Sequence, residues 1–543
     1  VNADHRARHV PIRLFLTCWL IFVLHFATNT VREIYPALSL GDHGSFDVSE
    51  YLGLHPDIFE VPGRGAFINN NPGASILGAL PYALVRPAID LIAERVQQAR
   101  AASGRPAPEY NTIYPLGREF FRQAYERGLD IKFGLAAGVI AALLMAPLSA
   151  LSVVLMYWIL LALTARKTAA VVLALLYALA TPVFFRTAQL NQNLLIAHCA
   201  LAAFALLWQP WNDRGRPRRW SYLLAGLLCG WAVVLDYSGV IVVAVLGVYA
   251  VWQRAALPAG ARSRADLPLF LAGVAACLSV LMAYQWQAFG NPLFPAQRYM
   301  PPTPYSGLGY NGMTWPQPDL LWQTTFGLRF GLFTSAPLLL LALWPPAWTG
   351  GTRIVERREA STILAFTVAF LLFCAGNQYG RLQFNSGVRY SVPVVPFLFL
   401  MVAGVLLRST RVPARNRLMP ALPVAGAGRL QDWRSGFSRL GSWPIVAFVV
   451  LAVYWSWCLA MYRDVEQGPG VFQAVIQITT HGPRLPWLAT LQSIGYVPAG
   501  PWAWPVLLLG AGVIWAIWRP RGRGRPSQVG RTPREVEQIP DRL

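Results

Sequence analysis

Charge is scarce in this chain. Charged residues make up 13% of its 543 positions, about half the roughly 25% of an ordinary globular protein. A soluble protein so poor in charge could not cover its surface with polar groups. Lipid must be the solvent for much of it. Lysine is almost missing, since Lys132 and Lys167 are the only two among 46 basic residues. Arginine in its place points to a GC-rich bacterial genome. The six cysteines (Cys18, Cys199, Cys229, Cys277, Cys374, Cys458) all lie in apolar runs, with no CxxC pair and no His-rich partner. That pattern argues against a disulfide framework or a zinc site and for buried free thiols. A continuous basic face and an RNA-binding motif are also lacking. The net charge of +21 therefore marks no nucleic-acid partner, because the arginines fall in short clusters between apolar runs.

Apolar residues are abundant, with AVILMFWYC at 55%. A bilayer crossing takes about 20 of them, and a helix satisfies its own backbone there. Qualifying runs lie near 12–28, 133–164, 168–185, 190–209, 221–236, 238–253, 267–286, 331–348, 360–375, 388–407, 443–461 and 501–518. The expectation is an all-α polytopic membrane protein with about twelve transmembrane helices. The pair around Asp236 also reads as one broken helix, and 133–164 is long enough to tilt.

Arg6, Arg8 and Arg13 precede the first run as in a signal peptide, but no small-x-small site follows it. The run reads as an uncleaved anchor. Placing residues 1–11 and the chain's end in the cytoplasm puts most arginines in cytoplasmic segments, as the positive-inside rule asks. The richest are the basic loop 408–442 and the Pro- and Arg-rich tail 519–543, which reads as disordered. Residues 12–407 then form the main membrane module. Residues 443–518 supply two more spans around an external loop, 463–500.

Acidic residues are distributed the other way, with twelve of the 25 between Glu33 and Asp130. The segment 29–130 is too long for a simple connector. Its stretch 73–96 is apolar early and charged late, which reads as helices lying along the outer surface. A further interfacial helix is expected around "FQAVIQITT" in the late loop. The working face is outside.

Four outer-edge patches carry dense polar residues. The first, 28–59, offers Arg32, Glu33, Asp42, Asp47, Glu50, His55 and Asp57 beside Tyr35. A carboxylate at the membrane edge can act as a general base, although most such charges are solvated loop residues. The second, 65–82, contains Asn70 in "NNNPG", whose amides can hold sugar hydroxyls or simply form a turn. The third, 175–204, carries Arg186, Gln189, Asn191, Gln192 and Asn193, with His198 as a core residue. The fourth, 376–400, sets Arg381 and Arg389 among glycines. Arginine there either snorkels to lipid or clamps a phosphate. Arg298 is a further candidate for the clamp.

The order of "NNNPGASILGALPY", "LLYALATPVFFRTAQ", "FGNPLF", "FGLRFGLFTSAPLLLLAL" and "SGVRYSVPVVPFL" resembles the integral-membrane glycosyltransferases of GT-C fold. That set contains the protein O-mannosyltransferases, the aminoarabinose transferase of lipid A and the rhizobial RgtA/B/C/D-like enzymes. The resemblance runs over roughly 12–405. It implies a polyprenyl-phosphate sugar donor, inverting transfer without metal or other cofactor, and a site on the outer face of a bacterial inner membrane. Partners would be that donor, membrane lipids, and a glycan, lipid or protein acceptor. Such enzymes carry an acidic pair shortly after the first span, where this chain has Asn29-Thr30. Glu33 is the nearest carboxylate and the expected base, with Asp47 behind it. Arg389 and Tyr390 match the family's external Arg-Tyr element. Arg32, Tyr35, Asp57, Asn70, Asn193, Arg298 and Arg381 complete the expected substrate contacts.

Three other readings share the composition. A lipid-linked sugar flippase would show inverted repeats and mid-membrane polar groups, yet no repeat is evident and only Asp236 and His198 interrupt the span interiors. A polysaccharide polymerase or ligase would place its large loop late rather than first. A non-catalytic scaffold of the same fold stays open because of Asn29.

Overall fold

The computed structural model describes residues 9–104, 115–212, 219–259, 262–349, 353–383, 387–409, 443–462 and 470–519. The basic loop 408–442 and the tail 519–543 lie, apart from their first residues, outside the described residues, as do residues 1–8. Helix α1 (Val10–Leu24) leads into α2 (Ile34–His43), then a hairpin of β1 (Ile58–Val61) and β2 (Gly65–Ile68). Helices α3 (Gly73–Ser103), α4 (Pro115–Glu126) and α5 (Asp130–Thr164) follow. A tight corner then joins α6 (Lys167–Leu179), α7 (Pro182–Arg186) and α8 (Gln192–Trp208). Next come α9 (Arg219–Leu235), α10 (Gly239–Ala256) and α11 (Asp266–Phe289), then short α12 (Pro318–Thr325) and α13 (Leu332–Ser335). The chain continues through α14 (Arg357–Gly376), α15 (Val395–Ser409), α16 (Trp443–Met461), α17 (Val471–His481), α18 (Pro486–Ser493) and α19 (Ala503–Trp518).

This polytopic helical architecture corrects the expected count of about twelve spans. Among the described residues, six helices are long and apolar enough to cross a membrane: α3, α5, α10, α11, α14 and α16. The other apolar helices run only 10–17 residues. Apolarity continues where the helix does not. In the run 168–185, α6 stops at Leu179, and Thr181 accepts from the Val183 amide to start α7 at Pro182. In the run 331–348, Pro337, Pro345 and Pro346 break the chain into α13 and two 3-10 turns, since proline lacks the amide a helix needs. The stretch 73–96 is corrected as well. It belongs to one 31-residue helix, α3, that runs through Pro81 and Pro87 and counts among the six. The β1–β2 hairpin is a further departure from an all-α fold.

The run 133–164 lies in a single helix, α5, with a π turn at Ala141–Met145, just before Pro147. Proline frees a carbonyl one turn earlier. Trp19 Nε1 donates to the nearby Ala142 oxygen at 2.9 Å, tying α1 to this turn. All six cysteines are free, five of them buried.

Glycine sets the closest helix pair. Gly226 and Gly230 of α9 meet α11 at Phe270, Val274 and Cys277, while Gly273 meets Leu223 and Leu227. A Cβ at Gly226 would overlap the Phe270 carbonyl. This is small-xxx-small packing, which lets backbones approach without a hydrophobic drive from water. Gly226→Leu should therefore cost about 1–3 kcal/mol by overpacking. Thermal unfolding in detergent checks it, and an unchanged midpoint would refute close α9–α11 approach.

Charge ties α2, α3 and α5 together. Asp42 at the end of α2 accepts from Tyr82 Oη at 2.8 Å and pairs with Arg86 at 2.9 Å and Lys132 at 2.8 Å. Those partners sit on α3 and α5. Gly73, at the start of α3, abuts the backbone of Val234 and Leu235 at the end of α9. The segment after α1 is thereby held over the ends of α8 and α9.

Candidate active site

A cavity of about 970 Å³ opens where these elements meet. Its walls come from the segment after α1, the α7–α8 corner, Asp236 beyond α9, Asn377, Tyr379, Leu382, Arg389 and Tyr390, and α18 with the residue Arg484 before it. The corner is locally specified: Asn191 Oδ1 accepts from the Leu194 amide at 3.0 Å, and its Nδ2 donates to the Arg186 carbonyl at 2.8 Å. The Ala27 amide donates to the Ala188 carbonyl at 2.8 Å, joining the corner to the chain after α1. From the far end, Trp487 Nε1 donates to the Leu24 carbonyl at 3.0 Å, which seats α18.

Glu33 is 2% exposed and lines the cavity. Its Oε1 accepts from Arg32 Nε at 3.2 Å and also from Asn70 Nδ2. Ser75 Oγ holds the Glu33 backbone carbonyl at 2.8 Å. The Arg32 guanidinium is shared: Nη1 reaches Asp57 Oδ2 at 2.7 Å and Asn69 Oδ1 at 3.0 Å. Asn69 Nδ2 returns to Asp57 Oδ1 at 3.2 Å. The result is one carboxylate–guanidinium–carboxylate row with amides closing both ends.

Burial pushes the Asp57 carboxyl up, but the Arg32 guanidinium and His55 outweigh it and hold it below its ordinary range. Burial also pushes the His55 imidazole below its ordinary value, against the pull of Asp57. A neutral ring fits its contact, because His55 Nδ1 accepts from the Asp57 amide at 3.0 Å. A depressed carboxyl stabilises the fold above its unfolded value, near pH 4. That contribution is lost as pH falls through the folded value. Asp57→Asn should thus lower the unfolding midpoint at pH 7, with the gap to wild type closing toward pH 3. A gap independent of pH would show that the charge of Asp57 is not what matters.

Six expected site residues meet in this cavity: Arg32, Glu33, Asp57, Asn70, Arg389 and Tyr390. Five do not line it. Asp47 Oδ1 accepts from Ser49 N at 3.0 Å, Ser49 Oγ at 2.5 Å and Ala66 N at 2.9 Å, so it fastens the start of β2. Burial raises its carboxyl, and those bonds together bring it below the usual range. Tyr35 is buried among Tyr51, His55 and Phe133. Arg298 stacks on Phe294 at 4.0 Å. Arg381 pairs with Asp319 at 2.7 Å and with Gln317 and Gln378. Asn193 is 1% exposed beside the corner, and both its amide atoms lack a partner among the described residues.

Arg389 Nε is buried without a hydrogen-bond partner among the described residues, and its guanidinium lies 5.4 Å from the Tyr390 ring centre. The cavity also takes in residues that sequence reasoning did not assign to it. Gln297, Tyr462 and Arg484 carry no local pattern that singles them out, whereas His55 stands in the first polar patch, Arg186 in the third and Tyr379 in the fourth. For a cation, one group of side chains among the described residues brings three possible ligand atoms within 4.8 Å: Asp42, His43 and Glu50. None lines the cavity, and Asp42 already faces Arg86 and Lys132.

Residues 110–287, about a third of the chain, match the family model of dolichyl-phosphate-mannose-protein mannosyltransferases. The match includes Arg186, Gln189, Gln192 and Asp236 but neither Glu33 nor Arg389. No curated protein matches the chain. Among solved structures it is similar to the archaeal oligosaccharyltransferase AglB from Archaeoglobus fulgidus, solved with an inhibitory peptide and a dolichol-phosphate. Identity is 14% and the TM-score 0.38, over 83% of this chain and 56% of that protein, so the chain spans little more than half the length of that relative. The chain is a polytopic helical membrane protein, and residues 110–287 of it are similar to the dolichyl-phosphate-mannose-protein mannosyltransferases.

Proposed function

We propose that the chain is a glycosyltransferase that moves a sugar from a polyprenyl-phosphate donor to an acceptor hydroxyl. The site faces outward from a bacterial inner membrane, with both termini in the cytoplasm. The observation that carries this reading is the single cavity lined by both Glu33 and Arg389, which are far apart in sequence. Glu33 takes the proton from the acceptor O–H. The acceptor oxygen bonds to the anomeric carbon as the bond from that carbon to the phosphate oxygen breaks. The electron pair leaves with the polyprenyl phosphate, whose new negative charge Arg389 meets. A phosphate is already a good leaving group, so a general acid is less needed than in glycosidases. One displacement inverts the anomeric centre, and the step so written uses no metal or other cofactor. The acceptor is a glycan, lipid or protein hydroxyl.

The test is transfer of radiolabelled sugar from polyprenyl-phosphate donors in membranes containing the protein. Labelled glycoside formed with inverted configuration supports the reading. Movement of intact labelled lipid across the membrane, with no glycoside formed, would replace it with a flippase.

A further inference from the structure

The cavity holds more unmet hydrogen-bonding capacity than a phosphate could use. Among the described residues, Gln189 Oε1, both amide atoms of Gln192, and Gln297 Oε1 are buried without a partner. All three residues line the cavity. Gln189 is 3% exposed and Gln192 is 1% exposed, so bulk water does not serve them. A buried polar atom left unpaired is destabilising, and such groups in a native fold call for an explanation. Gln297 is held in place by its own Nε2, which donates to the Asn69 carbonyl at 2.8 Å.

The sign of these atoms selects the ligand. Three of the four are carbonyl oxygens, which accept and do not donate. A phosphate is itself an acceptor, so it would face them without a shared proton. Sugar hydroxyls both donate and accept, and one amide can bridge two neighbouring hydroxyls. A donor that would suit a phosphate, Arg389 Nε, is also buried in the cavity wall without a partner among the described residues, as is Tyr379 Oη.

Resting on the transferase reading, we infer that Gln189, Gln192 and Gln297 are the cavity-lining residues that read the hydroxyls of the donor sugar. The Arg389 side holds the phosphate. Discrimination between donors then lies at the α7–α8 corner. A pocket built to hydrogen-bond a hydroxyl rejects a ligand that lacks it far more strongly than an apolar pocket rejects a methylene.

The experiment compares purified wild type with Gln189→Leu, Gln192→Leu and Gln192→Glu. Two probes are used, a C55 polyprenyl phosphate and its mannosyl ester, with binding read by tryptophan fluorescence and transfer by radiolabel. The expected result is a tenfold or greater rise in Kd for the mannosyl ester in each leucine variant, with Kd for the bare phosphate unchanged. Gln192→Glu, which keeps an acceptor, should fall between wild type and Gln192→Leu. Leucine variants that bind both lipids as wild type does, or lose both equally, overturn the subsite. Bound water alone satisfies the amides in the first case. Wild type that binds the ester and discriminates through Gln192 but forms no glycoside would sink the transferase reading and leave the subsite standing. Transfer by wild type with no effect of the leucine variants would do the reverse.

Discussion

Glu33→Gln should lower the rate of sugar transfer by about 10²–10⁴-fold, the range set by removal of a general base, while the donor binds as before. The isosteric amide keeps an oxygen where Oε1 now accepts from Arg32 and Asn70, so the row of side chains is retained. What it loses is the capacity to take a proton. Among the described hydrogen bonds Oε1 takes both partners, which leaves Oε2 for the acceptor hydroxyl. The readout is a fall in kcat at unchanged donor Kd, the pattern of an interaction used in the transition state. Asp47→Asn is the matched control. Its carboxylate fastens Ser49 and Ala66 away from the cavity, so it should lower stability more than rate. An inactive but folded Asp47→Asn beside an active Glu33→Gln would move the base to Asp47 and end the role given to Glu33.

Much of this site was legible because its parts sit near landmarks in the chain. Glu33 and Asp57 follow the first apolar run within one polar segment, and Arg389-Tyr390 stand at the edge of a late one. The three asparagines were visible as a turn, and the turn is also the wall: Asn69 and Asn70 reach Asp57 and Glu33, while Asn71 Nδ2 holds the Val233 carbonyl at 2.8 Å. The cavity's far wall was not legible. Arg484 and Thr490 arrive from α18 and the segment before it, seated by tryptophan contacts such as Trp487 to Leu24 that no periodicity announces. Thr28 Oγ1 and Thr490 Oγ1 meet at 2.8 Å, a pairing fixed by tertiary packing alone. The count of spans failed for a different reason. Hydropathy averages over a window, whereas helix ends are decided by single residues. Thr181 and Asn191 as N-caps start new helices, and the prolines at 337, 345 and 346 break the chain, inside runs that remain apolar.

Arg389→Ala should weaken donor binding and cut kcat by about 10²–10³-fold, the cost of removing one preorganised donor from a developing charge. The phosphate in the donor is a diester with one negative charge, and departure of the sugar leaves a monoester with a second. The interaction therefore strengthens as the bond breaks, and kcat should fall further than Kd rises. Arg389→Lys sharpens the test, since lysine restores charge but lacks the planar fork that matches two phosphate oxygens. It should recover binding more than rate. The backbone around it is independently anchored, because the Arg389 amide donates to Gln383 Oε1 at 3.1 Å and the Val388 amide to Ser335 Oγ at 2.9 Å. Truncating the side chain thus removes a charge with little disturbance of the loop. Arg381→Ala is the contrast, for its guanidinium is taken up by Asp319, Gln317 and Gln378 outside the cavity. If Arg381→Ala and Arg389→Ala lose transfer equally, or if Arg389→Ala transfers as wild type does, the phosphate is held elsewhere, and Arg186 and Arg484 are the cavity arginines to replace next.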